Sequence, residues 1–267
     1  MIPDAVMEAV RRHKYPLLFA TVSGAHLYGF ASADSDWDLR GAHVLPAKQV
    51  LGLNGLEETI ELNENSEIEL DLVTHDVRKF FTLLLRPNGY VLEQLYSPIV
   101  VHTTPEHAEL KRIAQGCITR FHVYHYLGFA ANQWKLFQKE SPRRVKPLLY
   151  VFRVLLTGIH LMTTGEVEPN LLILNDTFKL PFLEDLIARK ITGTEHECLE
   201  QEQSDLYEAR FLELEAQLKQ AGEGTSLPPG PTAKAALHSL LVDLRLQSIP
   251  ELSGLRAARR KLGDDLR

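Results

Sequence analysis

Apolar positions along the chain change their period near residue 104. Before it, short apolar runs and alternating residues are typical of strands, whereas after it apolar residues recur every three or four positions, as in helices. The first part predicts strands at 18–22, 37–44, 58–62 and 67–74, and helices at 25–30, after Asp76 and at 91–96. The second part predicts helices at 106–139, 143–164, 180–190, 195–220 and 231–247.

This change of period indicates an α+β fold in two parts. Residues 1–103 form a small mixed sheet flanked by helices, and residues 104–267 form an all-α helical domain, so we place the boundary near Thr103. The Gly, Ser and Pro residues from Gly222 to Pro231 predict a loop in the second part.

Charge is unevenly distributed along the 267 residues, whose formal net charge is -6. Residues 105–153 carry 9 Lys/Arg against 3 Asp/Glu, while the segments on either side are acidic. Such a basic segment is typical of a surface that attracts polyphosphate or a nucleic-acid backbone. Solvated helix faces explain the same excess equally well.

The two cysteines, Cys117 and Cys198, have no spacing typical of structural zinc, and free thiols are expected in a reducing cytoplasm. The sequence shows no leader-like N-terminus and no apolar run approaching the ~20 residues of a membrane span. We therefore expect a cytoplasmic protein without a membrane partner.

Paired aspartates provide the candidate chemistry. If Asp36 and Asp38 lie on one strand, their side chains point to the same side, because residues two apart share a face. Asp71, on the acidic face of a later strand, becomes the third carboxylate if the two strands are neighbours. Oxygen ligands of this kind suit Mg²⁺, with Mn²⁺ as a substitute, in a phosphoryl-transfer site.

The Ser23-Gly24 turn at the end of the first strand fits the same chemistry. Glycine allows close backbone approach to a phosphate, a following helix offers free N–H groups, and Ser23 adds a hydroxyl.

The aspartates have two other interpretations, a surface turn and a calcium loop. Asp34-Ser35-Asp36 also has ordinary surface-turn composition. A calcium loop is excluded because its sixth and twelfth positions would be Leu39 and Leu45 instead of glycine and glutamate.

Three sequence motifs resemble one family. They are Ser23-Gly24-Ala25-His26-Leu27-Tyr28-Gly29, Ser35-Asp36-Trp37-Asp38-Leu39-Arg40-Gly41 and Leu92-Glu93-Gln94-Leu95-Tyr96-Ser97-Pro98. They resemble the RNA-ligase-associated (RlaP-type) nucleotidyltransferases of the DNA polymerase β superfamily. The stretch from Leu155 to Val167 is similar too, so the resemblance covers residues 17–170.

The resemblance implies a minimal nucleotidyltransferase domain ahead of a helical domain, with Asp36, Asp38 and Asp71 as catalytic metal ligands. It also implies a nucleoside triphosphate substrate, an RNA acceptor and a functional link to an RNA ligase. One departure is that the family's Gly-Ser pair is Gly24-Ala25 here, which removes a hydroxyl. Backbone amides, or the hydroxyl of Ser23, would then bind the triphosphate.

Several further residues are candidates for nucleotide binding. His26 and Ser35 belong to the family motifs, although a histidine at a helix start is as often a packing residue. Arg40 would either balance the acids or bind triphosphate. From the basic segment, Lys146 and Arg153 are predicted to line the cleft, with Trp134 and Tyr126 available for base stacking or for the core.

Three hypotheses of function follow from these residues. The first is a magnesium-dependent transferase that moves a nucleoside monophosphate to a hydroxyl, such as an RNA 3′ end. The second is a transferase that nucleotidylates (AMPylates) a protein. The third is a non-catalytic module that binds nucleotide or RNA.

Overall fold

The computed structural model describes residues 2–65, 68–192 and 204–249. The strands are β1 (Leu17–Val22), β2 (Trp37–His43), β3 (Thr59–Asn65), β4 (Glu69–Asp76) and β5 (Val100–Thr103). The helices up to β5 are α1 (Asp4–Arg11), α2 (Gly24–Tyr28), α3 (Ala47–Val50), α4 (Val77–Leu84) and α5 (Gly89–Tyr96). The α+β class predicted from the sequence is confirmed.

The five strands form one mixed sheet in the order β3-β4-β2-β1-β5. The β2–β4 pair is parallel, and the other neighbours are antiparallel. Period-2 alternation in β4 buries Leu70 and Leu72 and leaves Asp71 on the opposite face. Asp76 then caps α4 by accepting a hydrogen bond from the Arg78 backbone N–H, as its sequence position predicts.

The sheet is followed by helices in the rest of the described chain. They are α6 (Pro105–Ala114), α7 (His122–Lys139), α8 (Val145–Thr164), α9 (Leu171–Phe178), α10 (Pro181–Thr192), α11 (Ser204–Gly224) and α12 (Lys234–Gln247), with a single 3-10 turn at Gln115–Cys117. The predicted start of α11 at 195 lies outside the described residues.

The expectation of one continuous helix over 106–139 is wrong. The chain leaves helical geometry between α6 and α7 because its backbone bonds to the loop before α12 instead. Gly116 O accepts from the backbone N–H of Thr232 at 2.8 Å, and the Arg120 N–H donates to Pro228 O at 3.0 Å. These contacts join segments more than 100 residues apart, so local periodicity does not predict them.

One hydrophobic core joins the sheet to the helices. Leu18 and Phe19 of β1 belong to the same buried cluster as Leu148, Phe152 and Leu156 of α8. The predicted boundary at 103 coincides with the end of β5, where strands give way to helices, and the core continues across it. A smaller cluster lies under α1, on the other side of the sheet.

Helix α8 is long and strongly apolar, and most of its residues are buried. By length and composition this 20-residue helix could cross a membrane, contrary to the sequence expectation. However, 78% of its 18-residue apolar segment is buried inside the fold. It packs against α7, α10 and α11, as the core helix of a globular protein does. The absence of a membrane partner stays a prediction.

Candidate active site

Asp38 of β2 and Asp71 of β4 lie side by side on neighbouring strands of the sheet. They are Cα partners in the parallel β2–β4 pair, so their side chains share one face. Both are partly accessible, with 29% and 38% of the side chain exposed. The structure thus brings together two of the three predicted carboxylates.

A guanidinium group lies between these two acids. Arg40 Nη2 donates to Asp38 Oδ1 at 3.0 Å and to Asp71 Oδ2 at 2.9 Å. Its Nη1 donates to the Leu39 and Asp71 carbonyls, and Nε donates to the Tyr90 hydroxyl at 3.1 Å. Of the two roles considered for Arg40, its contacts are those of a counterion that holds the acid pair together.

Asp36 does not lie on the strand with Asp38. Strand β2 begins at Trp37, so Asp36 is the last residue of the preceding loop, and it is exposed. Strand periodicity therefore does not orient its carboxylate. Among the residues that the structure describes, no three His, Cys, Asp or Glu side chains are arranged as a metal-binding group. A metal-binding role for Asp36 stays a prediction.

The electrostatics of Asp38 reflect this crowded position. Burial raises the pKa of its carboxyl, Arg40 opposes the rise, and Asp71 and Asp36 add to it. Asp36 is therefore within electrostatic range of Asp38 even though it lies outside the strand.

The donor set fits a hard divalent cation. Mg²⁺ binds proteins through one or two carboxylates and leaves other positions to water and substrate phosphates, so Asp38 and Asp71 satisfy its minimum. Arg40 already donates to one oxygen of each carboxylate, which leaves the second oxygen of each for a cation.

Gly24 places the backbone directly against Asp38. Strand β1 ends in a turn in which the Ser23 N–H donates to Asp38 O at 2.8 Å, and Gly24 has a φ of 63°. A Cβ on Gly24 would lie 1.9 Å from Asp38 Oδ2, so only glycine fits. The predicted glycine turn thus meets the acid pair at the start of α2.

The neighbours of Gly24 differ in what they offer a ligand. The Ser23 hydroxyl is buried and has no hydrogen-bond partner within the described part of the chain. Ala25 packs its methyl group into the main core, where a serine hydroxyl would need a partner. Ser23 therefore supplies the hydroxyl group that this turn offers to a ligand.

His26 lies in α2, and Ser35 lies in the loop that carries Asp36. The His26 ring stacks on Trp37 with centroids 4.1 Å apart, and burial lowers its pKa. Ser35 Oγ bonds with the backbone N–H and the hydroxyl of Ser32. The fully buried Lys190 of α10 donates to Ser32 Oγ at 2.6 Å. These contacts hold the loop in place, and nucleotide binding by His26 and Ser35 stays a prediction.

A cavity of about 340 Å³ opens beside the acid pair. Gly24 and Asp38 lie at one side of it, and residues of α2, α5, α7 and α8 form the rest. The aromatic members of its lining are Tyr28, Tyr90, Tyr126, Phe129 and Tyr150. A cavity lined by aromatic rings with a few polar groups is typical of a small-molecule site.

A buried ion pair lies within this cavity lining. Arg153 Nη1 donates to Glu93 Oε2 at 3.0 Å, both side chains are 3% exposed, and the guanidinium lies 3.7 Å from the Tyr28 ring centroid. Burial raises the pKa of Glu93, and Arg153 opposes that rise. The basic segment predicts Arg153 as a site residue, whereas Glu93 belongs to the third family motif and has no role predicted from the sequence.

The other residues of the basic segment are spread over several surfaces. Lys146 lines a second concavity of about 310 Å³ that shares Phe129 and Tyr150 with the cavity, and its charge lowers the pKa of Asp38. Lys135 and Lys139 are exposed. Trp134 stacks on Phe211 in the core, so of the two aromatic candidates Tyr126 alone lines the cavity.

The sequence as a whole matches a known family. The family profile described as "RNA repair pathway DNA polymerase beta family" (RlaP) matches residues 1–243. The chain belongs to the RlaP family. The family predicted from the motifs is therefore confirmed, and the protein has a polymerase β-like nucleotidyltransferase fold.

Two relatives show how far the similarity extends. MJ0002 of Methanocaldococcus jannaschii is 34% identical over 153 residues, which are 57% of this chain and 62% of that protein. The match thus spans less than two thirds of that relative. YcgL of Bacillus subtilis is 27% identical over 237 residues, 82% of this chain and 90% of that protein.

A solved structure of a nucleotidyltransferase-like protein from Exiguobacterium sibiricum is also similar, at 10% identity and a TM-score of 0.30. The match covers 93% of this chain and 76% of that one.

Proposed function

We propose that this RlaP protein is a magnesium-dependent nucleotidyltransferase that moves a nucleoside monophosphate from a triphosphate to a hydroxyl. The observation that carries the proposal is the register of Asp38 and Asp71, which places two carboxylates on one face at the edge of an aromatic cavity. The Gly24 turn meets the same carboxylates.

Each part of the site has a task in this reaction. The triphosphate lies at the Ser23-Gly24 turn, where glycine permits close approach and the unpartnered Ser23 hydroxyl donates to a phosphate oxygen. Asp38, Asp71 and Asp36 would hold the metal ion, which would neutralise charge on the phosphates and on the attacking oxygen. Lys146 adds positive charge on the side of Asp38.

The acceptor hydroxyl oxygen forms a bond to the α-phosphorus while the bond to the β-phosphate bridging oxygen breaks. Pyrophosphate leaves, and the hydroxyl proton passes to the Asp71 carboxylate and then to water. Asp71 is the more exposed acid of the pair, so an acceptor reaches it from solvent.

An RNA 3′ end is the acceptor that we propose, with a functional link to an RNA ligase. The family's description as part of an RNA repair pathway supports this choice, and so does the excess of Lys/Arg over residues 105–153. We propose that the protein works in the cytoplasm.

The test measures transfer of label from each α-labelled nucleoside triphosphate to RNA, with Mg²⁺ or Mn²⁺. Asp38→Asn and Asp71→Asn should each lower the rate at least ~100-fold, and Asp36→Asn tests the third ligand. Asp176→Asn, an exposed aspartate of α9, is the matched control. Equal labelling by wild type and the Asp38 variant would refute the proposal.

The same assay with different acceptors separates the related hypotheses. Label on RNA but not on DNA or protein supports the 3′-end acceptor, and label on protein instead assigns the chain to protein nucleotidylation. Metal-independent nucleotide binding without transfer, unaffected by the aspartate changes, would identify a non-catalytic module.

A further inference from the structure

The inner wall of the cavity contains polar groups that the transfer chemistry does not use. Arg153 Nε and the Tyr126 hydroxyl are buried and have no hydrogen-bond partner within the described residues. A buried polar group without a hydrogen-bond partner is unfavourable, so a ligand that pairs with both groups gains affinity. Both residues line the cavity beside Glu93.

The charges of this wall decide which end of a nucleotide enters. Phosphate oxygens only accept hydrogen bonds, and the Glu93 carboxylate would repel them. A nucleobase has a flat face that packs against the Tyr28, Tyr90 and Tyr150 rings, and its edge carries both donors and acceptors. The base therefore enters the cavity, and the phosphates remain at Gly24 and Asp38.

The hydrogen-bonding capacity of Glu93 narrows the choice of base. An ionised carboxylate accepts about four hydrogen bonds. Arg153 Nη1 donates one of these bonds at 3.0 Å, which leaves room for two further donors. Guanine is the common base with two adjacent donors, N1–H and the 2-amino group, next to an acceptor, O6.

We propose that the cavity binds the guanine base of a nucleotide, with Glu93 accepting from N1–H and the 2-amino group and Arg153 Nε donating to O6. The Tyr126 hydroxyl supplies a further bond to the base. This inference rests on the proposed function in one respect, namely that a nucleotide is the substrate. Arg153 thereby has two tasks, since it holds Glu93 in place and contacts the base.

The test measures binding without turnover, using the α,β-methylene analogues of GTP, ATP, UTP and CTP with Mg²⁺ in isothermal titration calorimetry. Wild-type protein should bind the guanine analogue roughly 10- to 100-fold more tightly than the others. Glu93→Gln should abolish that preference, because the amide replaces one acceptor by a donor. Equal affinities, preference for another base, or a folded Glu93→Gln variant that keeps the preference would overturn the inference.

A second variant covers the case in which Glu93→Gln does not fold. Tyr126→Phe removes only a hydroxyl that lacks a partner, so its melting temperature should not fall, and its affinity for the guanine analogue should drop several-fold. Unchanged affinity would count against the base contact. Tyr124→Phe, exposed on the same helix, is the control.

Binding and transfer fail separately in these experiments. If guanine is selected but no label is transferred, the base assignment stands and the transferase proposal falls. If label is transferred but the analogues bind without base preference, the transferase proposal stands and the guanine assignment falls.

Discussion

A Cβ on Gly24 would lie 1.9 Å from Oδ2 of Asp38, well inside the 3.0 Å within which Cβ atoms essentially never meet another heavy atom. Gly24 also has a φ of 63°, which L-residues rarely adopt. Gly24→Ala should therefore displace the Asp38 carboxylate and lower the transfer rate about 100-fold, the cost of a displacement near 1 Å. Steady-state labelling kinetics would measure the loss.

The control for this substitution is Gly55→Ala, since a Cβ there meets no atom within 4 Å. That variant should keep wild-type activity. Similar rates in the two variants would show that the Gly24–Asp38 contact has no part in the reaction.

Arg40→Gln should make folding dependent on a divalent cation. Without the guanidinium, Asp38 and Asp71 repel each other across adjacent strands, so the melting temperature in EDTA should fall by several degrees. Mg²⁺ should raise the melting temperature of this variant by more than it raises that of wild type. Arg11→Gln, which breaks an exposed pair with Glu8, should change little in either buffer, and a metal-independent loss at Arg40 would contradict this account.

Lys190→Met should loosen the loop before β2. The buried ammonium group donates to Ser32 Oγ, and Ser32 in turn bonds with Ser35. Losing a charged donor to a buried hydroxyl costs about 1–3 kcal/mol of unfolding free energy, which urea unfolding would measure. Lys135→Met, exposed on α7, serves as the comparison, and equal stabilities of the two variants would disprove the role of Lys190.

Acid should destabilise the fold below neutral pH. Burial lowers the pKa of His107 and of His122 to about 4. Between the unfolded value near 6.5 and 4, the unfolded chain binds protons that the folded chain does not, so stability falls as the pH falls. Each histidine contributes up to about 1.4 kcal/mol per pH unit. The raised pKa values of Asp38 and Glu93 act in the opposite direction.

Urea unfolding at pH 7, 6 and 5 measures this slope. His107→Phe, which keeps an aromatic ring beside Phe19, should have a smaller slope than wild type. A slope that does not change would assign the acid sensitivity to other groups.

Sequence patterns predict the structural features that depend on the local spacing of apolar residues. Alternation placed Asp71 opposite the buried leucines of β4, and the family motif identified the Gly24 turn. The predicted strand 37–44 and the observed β2 both begin at Trp37. Extending the strand alternation to Asp36 was one residue too far, because Asp36 lies in the preceding loop.

Such patterns do not predict contacts between residues that are far apart in the sequence. Glu93 and Arg153 are 60 residues apart, and Lys190 lies 158 residues from Ser32. Each residue looks ordinary in its own helix. The signal in the sequence is a charged residue among apolar helix positions, since a buried Arg or Lys requires a partner.

Helix α12 returns to the sheet at the end of the described chain. Arg245 donates to the Leu45 carbonyl at 2.7 Å and to Asp76, the residue that caps α4. Ser248 Oγ accepts from the Ala47 N–H at 3.1 Å. Shortening the protein from its C-terminal side would therefore remove a brace from the sheet that carries Asp38 and Asp71. A fragment ending at Thr103 would expose Leu18 and Phe19 to water, so we expect the sheet half to need the helical half in order to fold.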